Sequence, residues 1–227
     1  FRQDRMLQSE LADAGGVEGI ARALASDESA FAIYGQALAL AERLTNPFAY
    51  PDLRSLVAGY RAGRHEAPAR NLRFLPPSTS LETELARSLF GNAPVPQGFS
   101  LIDEFIARVR SGALSLRPED RGGWYAHELY SLEPLLVPQA TPEAEWLRFD
   151  DDYREHLVDL FKGLVTLTRE THVKQAQLEA LAQMYEPPRE ILIPVGPGLT
   201  AEPLASHYLR RSRSFAFVRR ALESAFG

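Results

Sequence analysis

In 227 residues a single stretch, EILIPV at 190–195, reads as a β-strand, and one strand makes no sheet. Elsewhere apolar residues recur at helical spacing, with glycine and proline as punctuation. A chain with that pattern must bury helix against helix, so the fold class is all-α.

The punctuation divides the pattern into elements. A first helix is expected over Gln3–Ala14, stopped by Gly15-Gly16, and a short one over Val17–Ala25. A third starts on a capping Ser26 or Asp27 and stops at Asn46-Pro47, with Ile33, Tyr34, Ala37, Leu38, Ala41 and Leu44 as its core stripe. Pro51 suits the first turn of a helix ending near Gly63. Residues 64–79 (RHEAPARNLRFLPPST) carry three prolines and no period, the mark of a linker or a long functional loop. Ser80 and Ser100 cap helices that run to Phe90 and Arg110 and end at Gly91 and Gly112. Gly122-Gly123 precede WYAHELYSLEPLLVP, a helix that Pro134 ends, kinks or restarts. Thr141-Pro142-Glu143 starts a pattern that runs, with a break at Asp150–Asp152, as far as Met184, where Pro187-Pro188 stop it. GPGL at 196–199 reads as a rigid connector rather than an anion site, and Thr200 caps the last helix. The sum is a multi-helix bundle of about eight helices, taken as a single domain over 1–227 with a possible sub-boundary at 64–79.

Composition removes several kinds of chemistry. Without cysteine there are no disulfides, thiolate metal sites or cysteine nucleophiles. Thirty acids against 25 bases leave a net charge of −5, which argues against a general nucleic-acid binder. No apolar run reaches the ~18–20 residues of a membrane span. The chain opens on Phe1 rather than methionine and so reads as a processed form or a piece of a longer one. There is no G-x-S-x-G and no glycine-rich turn after a strand.

Two polar intrusions stand out. On a wheel of the long helix, Tyr153, Leu157, Leu160, Leu164 and Leu167 form one stripe, and Leu178 and Ala182 continue it. Thr168, Thr171 and Gln175 lie on the same line, with His172 on its flank. In the tryptophan helix, Glu128 falls inside the apolar face of Trp124, Tyr125, Leu129, Leu132, Leu135 and Leu136, while His127 and Tyr130 point away and Glu133 sits on the edge. A lone buried carboxylate costs several kcal/mol, so Glu128 must find partners or keep its proton. The spacing predicts that the two intrusions meet, with Glu128 satisfied by Thr168, Thr171, His172 and Gln175.

No cofactor or metal is expected. Glu170 and His172 are two apart and face nearly opposite ways, and HELYSLE has Ser131 where H-E-x-x-H needs its second histidine. Asp152, His156 and Asp159 share a face, but on the solvent side of the helix. The basic C-terminus, HYLRRSRSFAFVRR, is expected to bury Leu204, Tyr208, Phe215, Val218 and Leu222. Its arginines Arg210, Arg213 and Arg220 then pair with neighbouring acids, or else meet phosphate or an acidic partner.

Two functions fit. The first is a non-catalytic helical interaction or assembly module with a buried polar network, serving a protein partner or a homo-oligomer. The second is a small-ligand or metal-binding enzyme in which Glu128 is general acid or base and His172 its charge partner. Trp124, Tyr125 and Tyr130 would form its aromatic wall, and Thr168, Thr171 and Gln175 its polar lining.

Overall fold

The computed structural model describes residues 6–64, 67–91, 93–96, 98–119, 122–171, 175–176 and 201–227. Among them the fold is all-α, and no helix is long and apolar enough to cross a membrane. The chain divides into two compact units. One holds Phe1–Thr79 with Lys174–Ala176 and Val218–Gly227, and the other holds Ser80–Val173 and Gln177–Phe217. The first boundary falls at the end of the aperiodic 64–79 stretch.

The first unit begins differently from the pattern's expectation. Among the described residues of the expected first helix, 6–8 are helical, 9–13 are not, and Ala14 already belongs to α1 (Ala14–Ser26). Gly15-Gly16 open this helix instead of closing the one before, because the Asp13 carboxylate accepts from the Gly16 N–H at 2.8 Å and caps it. Asp27 caps α2 (Glu28–Leu44) by accepting from Ala30 N at 2.9 Å. α3 covers Arg54–Arg61, so Pro51 lies outside it. Val17, Ala21, Tyr34, Leu38, Leu53, Leu56, Val57 and Leu72 form the core. Ile33, placed in the core stripe by periodicity, is 64% exposed. The α2 helix buries only the narrow Tyr34–Leu38 line.

The proline-rich stretch is laid across these helices. Leu11 N donates to Leu72 O at 2.9 Å, Arg73 N to Pro51 O at 3.0 Å, and Ala49 N to Pro77 O at 2.9 Å. Tyr34 pins it further, its hydroxyl donating to Phe74 O at 2.8 Å and accepting from Leu53 N at 3.2 Å. The stretch ends in β1 (Ser78–Thr79), which pairs in parallel with β2 (Gln175–Ala176).

In the second unit the serine caps mark the first two helices. α4 (Leu81–Phe90) and α5 (Leu101–Arg110) carry Ser80 and Ser100 as caps, and α4 ends at Gly91 with φ 61°. α6 spans Trp124–Leu136 and continues through Pro134. The expected long run after Thr141 is instead two 3₁₀ turns, Pro138–Ala140 and Pro142–Glu145, followed by α7 (Asp151–Thr171), whose first turn Asp150 caps through Tyr153 N at 2.9 Å. The helical pattern expected to run to Met184 is broken at Gln175–Ala176, whose backbone pairs with Ser78–Thr79 as β2. Residues 172–174 and 177–184 of that pattern, the EILIPV strand, GPGL and Thr200 fall outside the described residues. The last helix, α8, starts at Ala205 and ends at Phe226. Leu132, Leu135 and Leu136 of α6 pack with Leu157, Phe161 and Val165 of α7 and with α4 and α5 leucines. The buried line of α7 is therefore Leu157–Phe161–Val165, rotated from the expected stripe, and Leu167 is 56% exposed.

Candidate functional site

The site is built on α6. A proline two residues from its end removes one backbone donor, so the carbonyl of Tyr130, four residues upstream, lacks the N–H that an α-helix would aim at it. Arg210 of α8 supplies one, donating from Nη1 to Tyr130 O at 3.2 Å while its guanidinium lies 4.0 Å from the Tyr130 ring centroid. The same guanidinium forms an ion pair with Glu133, whose other oxygen accepts from Leu116 N at 3.2 Å. One turn away His207 Nδ1 lies 2.7 Å from the carbonyl of Ser131. Pro134 thus frees the Tyr130 carbonyl, which Arg210 of α8 serves, and His207 of α8 approaches the neighbouring Ser131 carbonyl.

Glu128 occupies the middle of this seam and is 5% exposed. Its Oε1 accepts from Trp124 Nε1 at 3.1 Å and from the Ser214 hydroxyl, and its Oε2 receives the Arg211 guanidinium. Ser214 is fully buried. The described partners of this acid come from its own helix and from α8. Of those expected on α7, Thr168 is half-buried and donates to Leu164 O of its own helix at 2.9 Å. The side chains of Thr171 and Gln175, and all of His172, lie outside the described residues. A buried carboxylate is stabilised best by a cation with additional donors, and the RRSRS run of α8 offers both.

The aromatic residues foreseen as a wall are distributed around the seam. Trp124 spends its indole N–H on Glu128, and its ring centroid lies 5.5 Å from that of Tyr125. Burial and the Glu128 charge push the Tyr125 hydroxyl upward in pKa. Tyr130 and His127 do point away from the leucine face, as spacing indicates, but toward α8: His127 stacks on Phe217 with centroids 4.3 Å apart.

Glu143 was missed as a functional residue. It is 3% exposed, and its carboxylate accepts from Ser206 N at 2.6 Å and Ser206 Oγ at 2.8 Å, at the start of α8. Burial pushes its pKa up, but the hydrogen bonds from its own backbone, from Ser206 and from Thr141 outweigh that and hold it below the ordinary carboxylate value. Nearby, Glu202 accepts from the Tyr153 hydroxyl at 2.7 Å and lies 2.9 Å from His156 Nε2. A signal existed for Glu202 alone, which stands three residues before a basic helix, whereas Glu143 is brought to Ser206 by the tertiary fold.

The buried line of α8 is rotated from the expected stripe. Leu204 is buried and Val218 half-buried, but Tyr208, Phe215 and Leu222 of that stripe are 45%, 53% and 39% exposed, and the neighbouring Leu209 is 59% exposed. The inward line in this unit is Leu204, His207, Arg211 and Ser214, spaced three and four apart. The α8 helix meets the unit with its polar side because the complementary acids and carbonyls are there. Chemically, the arrangement locks a helix in place: both oxygens of Glu128 are engaged by donors. Comparison with known proteins adds no name, for the sequence matches no family model, no curated protein and no solved structure.

Proposed function

We propose that the chain is a non-catalytic helical interaction or assembly module, in which the polar seam orients α8 so that its aromatic side faces a protein partner. The observation that carries this is the rotation of α8. Its inward line runs through Leu204, His207, Arg211, Ser214 and Ala221, and the larger Tyr208, Leu209 and Phe215 are turned out. Helices of isolated globular domains do the reverse, and clustered exposed aromatics mark interaction surfaces. The enzyme reading centred on Glu128 and His172 has less support, because a general acid or base needs an oxygen facing its substrate and those of Glu128 are already engaged.

Photo-crosslinking tests the reading. With benzoylphenylalanine at Phe215, irradiation in the source cell should give a discrete adduct that Tyr208→Ser weakens, while the same probe at exposed Arg110 gives none. Absence of an adduct at 215 would remove the module reading.

A further inference from the structure

We propose that the occupant of the outward face of α8 is a second copy of this chain, which presents to it the acidic, tryptophan-bearing surface of residues 143–159. This rests on the reading of α8 as an interaction face and names the partner.

The face itself sets the requirement. α8 carries five arginines against one glutamate. Two of the five, Arg210 and Arg211, are engaged in the seam, but Arg213 is exposed beside Leu209 on one edge of the outward half of the helix, and Tyr208 and Phe215 are exposed on the other edge. An occupant must therefore bring apolar surface and negative charge together. Two α8 faces set against each other would oppose arginine to arginine. An anionic lipid surface would suit the arginines, but it would repel the chain's own acidic surface at the start of the same helix.

The chain supplies the required chemistry itself. Residues 143–159 hold seven acids against two arginines. Asp150, Asp151, Asp152, Glu155 and Asp159 are exposed, and Trp146, in the turn that follows the second 3₁₀ helix, is 65% exposed. Tryptophan is a frequent anchor of protein interfaces, and here it stands among acids complementary to α8. Glu143 fixes this surface at the first residues of α8, whereas Arg213 lies about 12 Å further along the helix. The two surfaces are thus different patches of one unit, and joining them between copies is heterologous: it closes into a ring or runs on as a filament.

Sedimentation velocity on the purified chain tests this. At about 0.05 M salt the weight-average mass should climb with concentration to at least twice the 25.3 kDa of one chain, and at about 0.5 M it should fall back. Arg213→Glu alone, and Glu155→Arg with Asp159→Arg alone, should each weaken self-association at least about tenfold. Mixing the two variants should restore association, because the acidified helix of one then meets the basic surface of the other. All three side chains are exposed, so circular dichroism should remain that of the wild type. A chain that stays monomeric under every condition would overturn the proposal, as would association that ignores both variants or a mixture that fails to recover. Wild-type binding to phosphatidylserine vesicles without self-association would overturn it too. If the chain is monomeric yet Phe215 crosslinks to a different protein, the module reading survives and only the identity of the partner falls.

Discussion

At the scale of single residues, two buried glutamates illustrate how context decides an acid's role. Glu128 is held by an indole N–H, a hydroxyl and a guanidinium, so removing it strands three donors. Arg211 is 37% exposed on its side chain and can turn to water, which places the cost of Glu128→Ala at about 1–3 kcal/mol rather than the larger loss of a fully sealed pair. Glu128→Gln keeps an acceptor oxygen and should cost less than the alanine variant in chemical denaturation. An equal cost for the two would show that the acceptor is irrelevant. Glu143 makes a pH prediction. Its folded pKa lies below its unfolded value, so its contribution is complete above the ordinary carboxylate range and is lost as pH falls through the folded value. Glu143→Gln should therefore flatten the acid limb of stability against pH, and an unchanged limb would contradict the assignment.

At the scale of elements, the α6–α8 seam couples a proline to an arginine. Pro134 denies Tyr130 O its helical donor, and Arg210 replaces it. Pro134→Ala restores an N–H, so Arg210→Met should be less damaging in that background than in the wild type. A double-mutant cycle should give a coupling of about 0.5 kcal/mol or more. Additive costs would mean that Arg210 acts through Glu133 alone. Much of each element was legible because capping and turn signals are local: Asp27, Ser80 and Ser100 sit where their side chains accept the first free N–H groups. What was not legible was the rotation of each helix about its axis. Ile33 and Leu167 share a wheel face with buried residues yet stay exposed, because periodicity fixes a stripe's spacing and leaves its centre to the neighbours. For α8 the error was again a rotation: Leu204 stays inward, while Tyr208, Phe215 and Leu222 of the expected stripe are turned out. The usable signal was an inventory of charge: a buried acid at 128 needs a cation, and the densest supply in the chain is at 210–213.

At the scale of the whole molecule, charge is distributed unevenly, and this is what the composition conceals. The net −5 averages a basic last helix with an acidic remainder. Such a chain has opposed tendencies: overall repulsion keeps copies apart, while complementary patches and exposed aromatics draw them together. Glu28→Gln with Glu119→Gln removes two negative charges from exposed positions that lie outside both patches. Repulsion then weakens while the attraction remains. At fixed low salt the apparent mass of this variant should thus exceed that of the wild type at equal concentration, and Arg213→Glu should suppress most of the increase. A mass that stays the same or falls would mean that general repulsion does not oppose the pairing, and that the patches are ordinary solvated surface.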